Sequence, residues 1–256
     1  MKNKIFSLCL VLCALALMPA RLRAGDYSNL RFIGFSRDGK YLAFEEYATG
    51  DASGFPFATL YLVDTEKNAF VGKPFSVKLE NEKATEAAAV KRVEALAARK
   101  MRALKIVRGN TGKLVVAHLM TDWTYEDSFV RQDDKQEKVK LNDYINPNSP
   151  NQYEFYELTL NSIPTKTKGC QDEYYTFYKL ELTLDHFMKG EKDMESQVLQ
   201  KDAELPQRRG CPYGYRMESV YSYKDKIAVF VNVFSQGWEG PDMRYMVVTG
   251  NWQPYF

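Results

Sequence analysis

Chemistry in this chain concentrates near two Gly-bearing bends. Glu45, Glu46 and Asp51 lie at or just before the bend Gly50–Pro56, and Trp238, Glu239, Asp242 and Arg244 lie around Gly237–Pro241. Acids, a base and an aromatic side chain in such bends could stack a sugar on the Trp238 indole, offer oxygen ligands to Ca²⁺, or pair two carboxylates for glycoside hydrolysis. The plainer reading makes them soluble loop residues with Trp238 tucked into a sheet edge. Ca²⁺ is the one ion the loop acids would suit, and no motif in the chain calls for a cofactor.

Elsewhere the catalytic vocabulary is thin. There is no G-x-S-x-G, no H-E-x-x-H and no EF-hand loop. Gly109–Lys113 ends like a phosphate loop, but Val107 replaces its first Gly and Leu114 its Ser/Thr. His118 with Asp122, or Asp185 with His186, could begin a metal site or supply a general base. A strand-edge histidine satisfied by a neighbour is the commoner outcome. Ser36 beside Asp38 suggests a nucleophile, yet Ser and Asp leading into Gly39 are what a hydrogen-bonded turn uses.

The elements that position these residues are mostly strands. Tyr41–Phe44 and Thr59–Val63 read as the arms of a hairpin within Phe32–Val71, with Asp38-Gly39 as the tight turn ahead of it. One long helix is expected over about 82–108, a stretch without Gly or Pro that stops at Gly109. Val90, Val93, Ala97, Met101 and Leu104 form its apolar stripe, and its basic residues read as a solvated face. Six more β-type runs follow, namely Lys113–Leu119, Gln152–Leu160, Tyr174–Leu184, Tyr215–Tyr221, Lys226–Phe234 and Met243–Thr249. Arg131–Pro150 and Glu191–Gln207 read as long surface loops, the second with room for a short helix. Shifting the chain by 186 residues lays Phe35-Ser36, Lys40, Phe44 and Gly54 over Tyr221-Ser222, Lys226, Phe230 and Gly240, which suggests the same turn, strand, loop and strand at both ends. The expected fold is mainly β: an antiparallel sandwich or incomplete propeller-like barrel with one long helix packed on it.

Two resemblances sharpen this picture. Phe35-Ser36-Arg37-Asp38-Gly39-Lys40-Tyr41-Leu42-Ala43-Phe44 resembles the blade-opening motif of TolB-type β-propellers, with Arg37 where those repeats usually have Pro. A propeller repeats the motif four or more times, whereas this chain holds one good and one degenerate copy. Gly25-Asp26, Ile33–Tyr41, Phe44–Tyr47, Asp51–Pro56, Gly237–Tyr245 and Val248–Gly250 together resemble the bacterial predicted secreted proteins known as domain of unknown function 2259. That resemblance implies export and a single domain, and assigns no activity.

Export is also legible from the N-terminus. Lys2 and Lys4 precede an apolar run, Ile5–Met18, and the small residue Ala24 closes the segment, the layout of a cleavable signal peptide over 1–24. The run falls short of the roughly 20 residues a spanning helix needs, so no membrane span is expected after cleavage. Removing that segment with Lys2, Lys4, Arg21 and Arg23, and no acid, turns the +2 balance of the whole chain into −2. A near-neutral chain gives no electrostatic grounds for nucleic acid. With 45% hydrophobic and 14% aromatic residues, the chain fills a core, which excludes disorder. Residues 25–256 are expected to form one secreted β-rich domain. Cys170 and Cys211 are the two thiols left after cleavage, and in an oxidising compartment they are expected to form one disulfide. The functional expectation is a non-catalytic binding or interaction module of the bacterial envelope, periplasmic or secreted, with an envelope protein or a glycan as partner. The alternative is an exported hydrolase acting on glycan or peptide through the loop carboxylates.

Overall fold

The structure of the protein is a computed structural model that describes residues 25–81, 83–118, 136–145, 153–170, 172, 175–188, 195–237 and 240–252, with backbone alone for 142–145, 153 and 154. Residues 1–24, expected to be the signal segment, and the candidate site residues Trp238 and Glu239 lie outside the described residues. Among the described residues, thirteen strands and one α-helix follow in chain order: β1 (Asn29–Phe35), β2 (Tyr41–Thr49), β3 (Pro56–Asp64), β4 (Ala69–Phe70), β5 (Phe75–Lys78), α1 (Glu86–Ala103), β6 (Lys113–Ala117), β7 (Gln136–Ile145), β8 (Tyr153–Thr165), β9 (Phe177–Met188), β10 (Glu195–Lys201), β11 (Pro212–Tyr223), β12 (Lys226–Gln236) and β13 (Pro241–Asn251).

They build three antiparallel sheets. The first holds β1-β2-β3 with β4 and β5 on the far side of β3; the second runs β10-β9-β8-β7; the third runs β13-β12-β11-β6. The described residues are therefore mainly β with one α-helix, as expected, and their layers are those of a sandwich. No closed barrel is present among the described residues. The third sheet is the middle layer, because β12 alternates two apolar faces. Ile227, Val229, Val231 and Val233 pack on Leu158, Leu160, Leu180 and Leu182 of the second sheet. Ala228 and Phe230 pack on Phe35, Leu42, Phe44 and Val63 of the first. The helix covers the outer face of the first sheet, with Ala89, Val93, Ala97 and Met101 against Ile33, Ala43, Ala58, Leu60 and Leu62.

The helix is shorter than the expected 82–108. Thr85 caps its N-terminus by accepting the Ala88 N–H at 3.2 Å. At the other end the chain turns at Lys105, whose φ is +55°, because the backbone there is needed elsewhere. Val107 and Gly109 donate to the carbonyls of Phe35 and Ile33, and Phe35 N donates to Asn110 O at 2.8 Å, so 106–110 covers the outer edge of β1. The two expected loops need correction as well. β7 lies inside Arg131–Pro150 and β10 inside Glu191–Gln207, and where the second loop has room for a short helix the described residues show a 3₁₀ turn at Gln207–Arg209. In β7 the buried Val139 and Leu141 alternate with Lys138 and Lys140, and the charges hide the period.

Both hairpins of the 186-residue echo exist, as β2–β3 and β12–β13. Their sheets lie face to face instead of closing edge to edge, joined at the rim by a parallel bridge between Tyr27 and Met243. Cys170 and Cys211 are bonded, with Cα atoms 5.3 Å apart and a separation of 41 residues.

Candidate functional site

Glu45 and Glu46 are neighbours on β2, so the pleat sends them to opposite faces. Glu45 is fully buried on the helix side. Its carboxylate meets Arg31, its partner in register on β1, at 2.6 Å. Arg31 also reaches Oε1 of Glu94 on the helix, the same oxygen that Arg108 contacts. Burial pushes the Glu45 carboxyl up despite the guanidinium beside it. This is a helix-to-sheet clamp, remote from the loops.

Glu46 faces the third sheet and is 5% exposed. Tyr61 O–H donates to its Oε1 at 2.6 Å, and the backbone N–H of Tyr245 donates to its Oε2 at 3.2 Å. Burial raises the Glu46 carboxyl against the pull of those two donors, and the same burial, with Glu46 beside it, raises the Tyr61 phenol. Tyr245 lies on β13, an edge strand whose outward N–H groups would otherwise be open. Glu46 accepts one of them, Asn68 Oδ1 accepts that of Thr249 at 2.9 Å, and Asp26 O accepts that of Met243 at 3.0 Å. The first sheet and the N-terminal segment thus close the edge of the third.

Asp51, Asp242 and Arg244 do come together, around Asp26. Asp51 N donates to Asp26 Oδ1 at 2.6 Å, Asp26 N donates to Asp242 Oδ1 at 2.8 Å, and Arg244 sits 3.7 Å from Asp26 Oδ2. Arg244 also donates to Ser28 Oγ and lies over the Phe57 ring, 4.7 Å from its centroid. The two terminal loops therefore share one corner of the molecule, and these contacts tie them to each other and to the N-terminal segment.

Of the other residues singled out by sequence, Asp122 lies outside the described residues and the rest resolve into structure. Ser36 Oγ donates to Asp38 Oδ1 at 2.6 Å and accepts from Tyr41 N at 3.0 Å, which with Gly39 at φ +81° makes the expected turn. That bond from Ser36 holds the Asp38 carboxyl below its ordinary range. His118 lies at the end of β6, with Nδ1 3.1 Å from Met217 O and 3.4 Å from Glu137. Asp185 and His186 occupy opposite faces of β9. Asp185 accepts Ser196 O–H at 2.6 Å on one of them. No cluster of three or more metal-ligating residues is present among the described residues.

On the other face, His186 continues the core-facing series Tyr178, Leu180, Leu182 and Leu184 to the point where the second and third sheets part. A cleft of about 530 Å³ opens there, within the range of roughly 300–1,000 Å³ common to small-molecule sites. Strand register sets its walls. Tyr156 of β8, His186 of β9 and Glu195 of β10 are in one cross-strand row, and Leu158, Leu184 and Gln197 form the next. The Tyr156 and His186 rings stack at 4.4 Å and 9°. Trp252, just past β13, meets Tyr156 edge-on at 5.8 Å and 78°. Asn251 completes the lining, its Oδ1 pinned by Lys226 Nζ at 2.7 Å. Sequence reasoning passes over this site because its residues are far apart in the chain and only pairing register assembles them. The one available signal is the even-numbered series on β9, which extrapolates to His186.

Among the described residues, no helix is long and apolar enough to cross a membrane. No curated protein and no solved structure matches the chain. A family model described as predicted secreted protein, domain of unknown function 2259, matches residues 43–251, and the chain belongs to that family.

Proposed function

We propose that the protein is an exported, non-catalytic binding module of the bacterial envelope whose contact site is the cleft between the second and third sheets. The observation that carries the reading is the contrast between two places. At the terminal corner, the carboxylates spend their hydrogen-bonding capacity on the fold: Glu46 on Tyr61 and Tyr245, Asp26 on Asp51, and Asp242 on Asp26. A carboxylate that ties strands together is poorly placed to trade protons with a substrate. The cleft instead combines aromatic side chains with amide and carboxylate groups in a concavity, the makeup of a recognition site.

Cross-linking in the producing cells tests this. A photo-reactive residue at Gln197, inside the cleft, is compared with one at Lys83, on the far side of the first sheet. Reproducible capture of one envelope component from Gln197 and not from Lys83 is the expected result. Equal capture from both positions, or none from Gln197, refutes the cleft as the contact site.

A further inference from the structure

Resting on that reading, we infer that the ligand of the cleft is a neutral saccharide, held by an aromatic corner and a polar wall. The corner is built from two contacts: Tyr156 stacked on His186 at 4.4 Å, and Trp252 set at 78° to Tyr156. His186 is 7% and Trp252 3% exposed, while Tyr156 is only half-buried. The two more deeply buried rings thus lock the plane of Tyr156, the most open of the three in the cleft. A fixed aromatic plane suits the flat C–H face of a pyranose and carries little ordering cost on binding.

The rest of the lining supplies what hydroxyl groups need. Gln197 and Asn251 offer amides, each a donor and an acceptor, and Glu195 offers a carboxylate at the exposed rim. Because Lys226 donates to Asn251 Oδ1, that amide is oriented with its NH₂ left to donate elsewhere.

Other ligand classes fit less well. Among the described residues the lining holds no Lys or Arg, and the Lys226 ammonium is bonded to Asn251 and Asp225, so these residues offer a phosphate or carboxylate ligand no free cation. An apolar ligand would strand the amides and the carboxylate. An extended peptide satisfies its backbone along a sheet edge, whereas the aromatic wall lies on a sheet face. A polyamine is the nearest rival, since Glu195 and the rings could take a cation.

Calorimetric titration of the full exported chain separates these ligands. The probes are maltotriose and triacetylchitotriose as neutral saccharides, spermidine as a polyamine, and trialanine as a peptide. Saturable binding of at least one saccharide is expected, with neither spermidine nor trialanine competing. Tyr156→Ala and Gln197→Ala should each weaken it at least tenfold, about 1.4 kcal/mol. Tyr156→Phe, which keeps the ring and guards against misfolding of the Ala variant, should retain most of the affinity. Val198→Ala, on the outward face of β10 and 55% exposed, should change nothing. Binding of neither saccharide overturns the inference. Binding of spermidine or trialanine that Tyr156→Ala abolishes also overturns it, while leaving the cleft as a binding site. Saccharide binding untouched by Tyr156→Ala and Gln197→Ala removes the cleft itself.

Discussion

Glu46 offers the sharpest check on the packing of the first sheet against the third. Replacing it by Ala withdraws both acceptors at once, leaving the Tyr61 O–H and the Tyr245 N–H unsatisfied in a nearly dry interface. A buried polar group left without a partner costs about 1–3 kcal/mol, so the two together predict a loss of about 2–6 kcal/mol. For a chain of this length each kcal/mol lowers Tm by about 2–4 °C. Glu46→Gln behaves differently, because its amide oxygen still accepts one of the two donors and the buried charge is gone. The difference depends on pH. Burial raises the folded-state pKa of Glu46 above its unfolded value, so its contribution to stability is fully present below the ordinary carboxyl range and is lost as pH rises through the raised value. The stability of wild type relative to Glu46→Gln should therefore be greatest near pH 4 and should fall, or reverse, by pH 8. Urea unfolding of wild type, Glu46→Gln and Glu46→Ala at both pH values measures this. A Gln variant as damaged as the Ala variant at pH 4, or a pH-independent difference from wild type, refutes the account of a desolvated, doubly hydrogen-bonded carboxyl.

Three further outcomes are expected. The double variant Cys170→Ser, Cys211→Ser releases a loop of 41 residues and should cost about 4 kcal/mol in the chain-entropy description; a urea midpoint equal to that of the oxidised protein would contradict it. Arg209→Met leaves the buried Asp202 carboxylate facing Leu180 N and Gln200 without its guanidinium, and should cost about 3–5 kcal/mol by equilibrium unfolding. Thr85→Ala removes the side chain that caps Ala88 N and should cost about 1 kcal/mol, with early amide exchange confined to the first turn of α1.

How far the sequence foretells these features follows from what each element buries. Strands with one wet face announce themselves: Leu180, Leu182 and Leu184 alternate with Glu181 and Thr183 on β9, and the aromatic-rich arms of β2–β3 are equally plain. The helix stripe is legible too, since Val93, Ala97 and Met101 are buried as expected, but its last residues are not. Helix propensity persists through Arg108, and the chain leaves the helix because β1 needs edge partners, a tertiary demand that no local residue encodes. β10 goes unread because Leu199 is its only buried side chain, so an edge strand with so little to bury carries almost no period.

The residues of the candidate sites are legible in the opposite sense. The acids nearest the bends look chemical in one dimension, but the pleat divides Glu45 from Glu46. The carboxylates of Glu46 and Asp26 are consumed closing the open edge of β13 and joining the loops beside it. Charge density in a loop reports solvent exposure and edge protection as readily as it reports catalysis. Tyr156 and Trp252 look inert in the sequence and His186 invites a metal or general-base reading, yet Tyr156 and His186 each end a core-facing series, and a series that runs out of core is where a sandwich opens. When His186 continues the row of Leu180, Leu182 and Leu184 past the last partner on the facing sheet, the aromatic ring it meets is no longer sealed by leucines. The end of a core stripe therefore locates the cleft more reliably than the loop acids do, and it does so through the same register that builds the sheets.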